Sequence, residues 1–93
     1  MLDKIIVFCM AKKVIMYTKQ ICPYCVKAKR LLDKIGADLQ EIDISDSPDI
    51  RQRMIELSAG KKTVPQIFIG GKHIGGCDDL YAIGEDRLKE MIK

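Results

Sequence analysis

Val14-Ile15-Met16-Tyr17-Thr18-Lys19-Gln20-Ile21-Cys22-Pro23-Tyr24-Cys25 decides the fold: an apolar run, a short link, then two thiols three residues apart. The run from Val14 to Tyr17 alternates little, as a central strand covered on both faces does. Pro23 marks a helix start, because proline at the first helical position gives up an N–H that has no intrahelical partner and brings a suitable φ. Cys22 then sits at the cap, where unpaired N–H groups and the positive end of the macrodipole favour a thiolate. In Cys-x-x-Cys settings the thiol pKa falls from about 8.5 to roughly 3.5–7.5. Cys25, one turn in, shares a side of the helix with Ala28, Leu32 and Ile35, which turns it toward the core. Cys22 is therefore expected to be outermost, exposed and attacking, and the more buried Cys25 to resolve.

Working outward, residues 23–35 read as a helix closed by Gly36. Leu39 to Ile44 is a second strand, with Ile42 and Ile44 on one face and Glu41 and Asp43 on the other. Ser47-Pro48 repeats the cap-plus-proline start, Ile50, Met54 and Leu57 form the expected buried stripe of that helix, and Gly60 stops it. After Thr63-Val64-Pro65 come Gln66 to Ile69, Gly70-Gly71 and Lys72 to Gly75, the composition of a two-residue hairpin. Asp78 to Ile83 and Arg87 to Ile92 read as short helices broken near Gly84. The order β-α-β-α-β-β-α predicts an α/β domain: a right-handed βαβ unit, a hairpin and a closing helix, forming a four-stranded mixed sheet flanked by helices.

Ninety-three residues allow one domain with one core. The net charge of +3 is spread among acidic residues without aromatic interleaving, so a nucleic-acid surface is not expected. Lys19, Lys61, Lys62 and Lys72 fall near the segments that flank the dithiol, where positive potential favours a thiolate and an anionic substrate. Lys27, Lys29 and Arg30 read better as a solvated face. The apolar runs Ile5 to Met10 and Val14 to Tyr17 are too short to span a bilayer, and the start carries no signal-peptide pattern. The four cysteines lack framework spacing, so the expected setting is soluble, reducing and cytoplasmic, without a membrane partner. A complete domain can begin near Met10. Residues 1–11 are accordingly read as an N-terminal extension, either from an upstream start or as a segment packing Ile5, Val7 and Phe8, with residues 12–93 as the domain and Cys9 outside the chemistry.

Three separated motifs resemble the glutaredoxins, specifically the small dithiol class: Tyr17 to Cys25, Thr63 to Ile69, and Ile74-Gly75-Gly76-Cys77-Asp78-Asp79-Leu80. Pro-Tyr between the cysteines is the glutaredoxin-like choice; thioredoxins carry Gly-Pro there after a tryptophan, and this chain has no tryptophan. The resemblance implies a thioredoxin-like fold and a glutathione-dependent thiol–disulfide oxidoreductase acting on protein disulfides and glutathione mixed disulfides. Glutathione is the implied co-substrate, with no metal, a monomeric state and a potential of about −200 to −230 mV. It further implies that Pro65 is cis and that Val64 offers its N–H and C=O to the cysteinyl part of glutathione. Gly76 would let the backbone come close, the N–H groups of Cys77 and Asp78 would take the γ-glutamyl carboxylate, and Asp79 or Asp78 its ammonium. Lys19 would favour the Cys22 thiolate and reach the glycyl carboxylate; Lys62, or Lys61 in its place, would face that carboxylate too. Tyr24 would flank the ligand.

The same residues admit rival readings. Cys22, Cys25, His73 and Cys77 supply four possible zinc ligands, although a second Cys-x-x-Cys is missing. An iron–sulfur-bridged dimer through Cys22 and glutathione, and a redoxin reduced by a thioredoxin reductase, are the others. Cys77 is read as inert in catalysis, with oxidation left open.

Overall fold

The computed structural model describes residues 12–93; the readings made for residues 1–11 lie outside the described residues. Strand β1 (Lys13–Thr18) leads into helix α1 (Pro23–Lys34), then β2 (Asp38–Asp43), α2 (Pro48–Leu57), β3 (Gln66–Ile69), β4 (Lys72–Gly75), α3 (Cys77–Ile83) and α4 (Glu85–Met91). The sheet order is β2-β1-β3-β4, with β1 and β2 parallel and the other neighbours antiparallel. This is the mixed four-stranded thioredoxin-like sheet, its last helical segment split at Gly84, whose φ of 88° suits glycine. Among the described residues no helix is long and apolar enough to cross a membrane.

Local chemistry sets the boundaries. Cys22, extended at φ −129°, caps α1 through its own sulfur, which accepts the Cys25 N–H at 3.2 Å. Ser47 does the same for α2, accepting the Ile50 N–H on its hydroxyl at 3.2 Å. Past the end of α1, Gly36 takes φ 75°, and the Ala37 N–H returns to the Leu32 carbonyl. Gly70 and Gly71 both hold positive φ, 56° and 85°, which is what a two-residue primed turn between β3 and β4 requires.

Period-two alternation divides the apolar side chains between the sheet's faces. Val14 and Met16 of β1 and Ile67 and Ile69 of β3 meet Cys25, Ala28 and Leu32 of α1, Leu80 of α3 and Leu88 of α4 in one continuous core. The opposite face carries Tyr17 and Phe68, whose rings meet edge to face with centroids 5.8 Å apart, packed with Ile44 and Met54. The expected α2 stripe is corrected here. Only Met54 of the three is buried; Ile50 and Leu57 are exposed, while Ile55 and Ser58 turn inward instead. The inward side of α2 is thus rotated about its axis, centred on Met54 and Ser58, which carries Ile50 and Leu57 toward solvent.

Candidate active site

Strand direction carries the three motifs to one end of the sheet. β1 runs out at Thr18 toward Cys22; β3, antiparallel to it, enters from Pro65 with Gln66 beside Tyr17; β4 runs out again, leaving Gly75 beside Ile67. The end of β1, the start of β3 and the end of β4 therefore converge. A Cβ placed on Gly76 would lie 3.4 Å from the Pro65 carbonyl oxygen, which shows how closely the second and third motifs approach.

Cys22 and Cys25 are joined by a disulfide, with Cα atoms 5.2 Å apart, inside the usual range for such a bond. The expected contrast in exposure is corrected: Cys22 is 7 % exposed and Cys25 4 %, and both belong to the main core. The Cys22 sulfur folds back over the first turn of α1, toward Cys25 and its N–H, so the outward positions fall to Ile21 and Tyr24. What distinguishes the two sulfurs is the hydrogen bond that Cys22 accepts at the helix start.

The Val64–Pro65 bond is cis, and Val64 lies beyond the last paired rung of β1 and β3, so the sheet makes no claim on its backbone. Gln66 holds this segment in place. Its buried amide donates to the Thr63 carbonyl at 3.0 Å and to the Thr63 hydroxyl at 3.3 Å, and its oxygen meets His73 Nε2 at 2.7 Å. Because the amide nitrogen is committed to Thr63, the histidine Nε2–H is assigned as donor to the amide oxygen. His73 also stacks obliquely on Phe68, with centroids 5.0 Å apart. In the sequence Gln66 reads only as the start of a strand. A glutamine inside an otherwise apolar strand was the available signal, since a buried amide has to be hydrogen-bonded.

Gly75 takes φ 123°, and a side chain there would collide with the Asp79 carboxylate. That carboxylate reaches back to accept the Gly76 N–H at 2.9 Å, capping α3 from its third residue because glycine has no side chain to cap with. Asp78 and Asp79 are exposed; Cys77 is buried, and burial pushes its thiol pKa up, against the opposing charge of Lys27. A second unanticipated contact ties α1 to α3: the Tyr81 hydroxyl donates to the Lys27 carbonyl at 3.1 Å, and the Lys27 ammonium lies 4.8 Å from the centre of the Tyr81 ring.

Between these parts lies a groove of about 340 Å³. Tyr24, Val64, Pro65, Gly76, Cys77, Asp78 and Asp79 line it, all expected site residues. Lys61 lines it as well, and Lys62 does not. Lys19 lies on the other side of the disulfide, in a groove that it shares with Cys22 and Cys25. Among the described residues no three His, Cys, Asp or Glu side chains gather as a metal-binding set.

Comparison with known proteins agrees with this geometry. The glutaredoxin family model matches residues 14–74, which include the cysteine pair and the cis-proline segment. Glutaredoxin 3 of Escherichia coli is 55 % identical over 67 residues, covering 72 % of this chain and 80 % of that protein. The solution structure of a Brucella melitensis glutaredoxin superposes with a TM-score of 0.79 at 48 % identity, over 90 % of this chain and 91 % of that one. A buckwheat glutaredoxin–glutathione complex superposes with a TM-score of 0.77 at 35 % identity, over 98 % and 86 % of the respective chains. A disulfide at a helix start, flanked by a cis-proline strand and matched by relatives along most of its length, makes this chain a member of the glutaredoxin family of thiol–disulfide oxidoreductases.

Proposed function

We propose that this protein uses glutathione to reduce glutathione mixed disulfides and protein disulfides, with Cys22 attacking and Cys25 resolving. The observation that carries this reading is the groove beside the disulfide. It offers the backbone of Val64, unpaired among the described residues, at its middle and first-turn N–H groups and two carboxylates at its α3 end. A tripeptide with a β-strand-like centre, a carboxylate and an ammonium complements those groups in that order. Tyr24, in the turn that Cys22 caps, closes the dithiol end, and Lys61 takes the basic position foreseen for Lys62. Lys19 remains assigned to thiolate stabilisation from the other side of the disulfide.

In the reduced protein the Cys22 thiolate attacks the glutathione sulfur of a mixed disulfide, and the substrate leaves as a thiolate that takes up a proton. A second glutathione thiolate then attacks the glutathione sulfur bound to Cys22. Oxidised glutathione departs and the Cys22 thiolate returns, so one glutathione thiol is consumed and the mixed disulfide becomes the substrate thiol and oxidised glutathione. On a protein disulfide Cys22 bonds to one substrate sulfur as the S–S bond breaks and the other leaves as a thiolate that takes up a proton; Cys25 then attacks the Cys22 sulfur, releasing the second substrate thiol and forming the Cys22–Cys25 bond that two glutathiones reduce in turn. The helix start makes Cys22 available both as nucleophile and as leaving group.

The test is turnover of a glutathionylated peptide with glutathione, glutathione reductase and NADPH. Wild type and Cys25→Ser are expected to turn over, and Cys22→Ser to fall to background. Wild-type activity at the Cys22→Ser level, or turnover supported by a thioredoxin reductase and indifferent to glutathione, overturns the proposal. Activity retained in Cys22→Ser and lost in Cys25→Ser reverses the roles of the two thiols.

A further inference from the structure

Three segments meet in one polar network beside the first groove: β4 through His73, β3 through Gln66, and the run before the cis bond through Thr63. Gln66 is 2 % exposed, so the groups of its amide need partners within the fold. They have them. The nitrogen donates to the Thr63 carbonyl and to the Thr63 hydroxyl, and the oxygen faces His73 Nε2. Both amide N–H groups are thereby used, and none is left for a ligand although Gln66 borders the groove.

The segment held in this way has little else to hold it. Among the described residues no other hydrogen bond falls on residues 62–65. The last backbone bond before them runs from the Lys61 N–H to the Ser58 carbonyl at 3.1 Å, and the first rung after them pairs Gln66 with Tyr17. One side chain therefore supplies the hydrogen bonds that fix the backbone leading into Val64.

His73 decides which way that side chain points. With its proton on Nε2 the ring donates to the amide oxygen, which leaves the amide nitrogen to face Thr63. Turned over, the amide would set its N–H groups against the Nε2–H and its oxygen against the Thr63 carbonyl. Both contacts are repulsive, and burial makes them costly. The ring in turn packs on Phe68, with centroids 5.0 Å apart.

We infer that His73 and Gln66 are positioning residues for glutathione: the histidine orients the amide, the amide holds Thr63, and Thr63 sets the Val64 backbone where a tripeptide can pair with it. The pair thus governs the preference for glutathione over a smaller thiol without touching the ligand. The inference rests on the proposed function, which puts glutathione against Val64. Cys22 lies outside the network, its sulfur accepting the Cys25 N–H, so disturbing the pair changes recognition and leaves the nucleophile alone.

The experiment measures single-turnover rates of the reduced protein in a Cys25→Ser background. Two substrates share one peptide, whose cysteine is joined to glutathione in the first and to 2-mercaptoethanol, which has no backbone to pair with Val64, in the second. Three variants are compared: Gln66→Glu, which keeps the acceptor and loses the donors; His73→Leu, which removes the orienting N–H; and His73→Gln, whose amide nitrogen can stand in for Nε2. Gln66→Glu and His73→Leu are expected to lower the preference for the glutathione substrate about tenfold, the effect of one buried polar contact left unmade. Their rates on the 2-mercaptoethanol substrate are expected to stay within about twofold of the parent, as for an interaction made to one substrate only. His73→Gln is expected to restore most of the preference. A preference unchanged in Gln66→Glu and His73→Leu overturns the inference, as does an equal loss on both substrates or a His73→Gln variant no better than His73→Leu. A parent protein that shows no preference for the glutathione substrate is the distinct result that defeats the proposed function, and the inference with it.

Discussion

The two faces of the sheet differ in thickness. On one, strands β1 and β3 pack against α1, α3 and α4 and bury a continuous cluster that includes both disulfide cysteines and Cys77. On the other, α2 covers Tyr17, Phe68 and Ile44 with Met54 as its single fully buried large side chain. The chemistry is anchored in the thick layer, where the helix carrying the cysteines and the helix carrying Asp79 share one core and are further joined by Tyr81 and Lys27. The thin layer encloses less apolar surface, and among the described residues the buried Ser58 hydroxyl meets no hydrogen-bond partner. The two helices of the site are thus held from the thick side of the sheet, while the Val64–Pro65 segment is tied from the other by Gln66, which shares the Phe68 face of β3.

Core truncations give the largest test of this contrast. Leu32→Ala, in the thick layer, is expected to cost about 4 kcal/mol, and Met54→Ala about 2 kcal/mol, because the looser α2 face can collapse around the loss. Urea unfolding measures both. Equal costs would mean that the two layers are packed alike. In the same experiment Met54→Ala should keep wild-type disulfide-exchange rates at temperatures where it is folded.

Ser58→Ala sharpens the thin side. Removing a buried hydroxyl that lacks a partner is expected to raise stability by about 1 kcal/mol. A loss of stability instead would place a hydrogen-bonded water on that hydroxyl.

The smallest effect is a slope on the thick side. Burial raises the Cys77 pKa above its unfolded value, so the neutral thiol is favoured in the folded state. The resulting stability is fully present below the unfolded thiol pKa and is lost as pH rises through the folded one. One proton limits the effect to about 1.4 kcal/mol per pH unit. Cys77→Ala should flatten the alkaline side of the stability profile, measured with the disulfide intact. An unchanged slope would show that Cys77 ionises freely despite its position.

Much of this was legible beforehand, for local reasons. Pro23 and Pro48 announce helix starts because a missing N–H is harmless only there, and Gly70-Gly71 announces a hairpin because both residues must take positive φ. Helical periodicity puts Ile50, Met54 and Leu57 on one side of α2, but seating on the sheet turns Met54, Ile55 and Ser58 inward, a rotation set by contacts distant in sequence. Gln66 was passed over because its partners, Thr63 and His73, meet it only once β3 and β4 pair.

By itself, then, the amino-acid order determined the elements, the cysteine pair at a helix start and the segments that accompany it, since caps, turns and alternation act over a few residues. Only the tertiary structure decided that Cys22 is buried while Ile21 is left in solvent, that Lys61 rather than Lys62 lines the first groove, and that the disulfide opens onto a second one. Those outcomes depend on strand register and on how helices seat on the sheet, which arise from contacts between residues far apart in the chain.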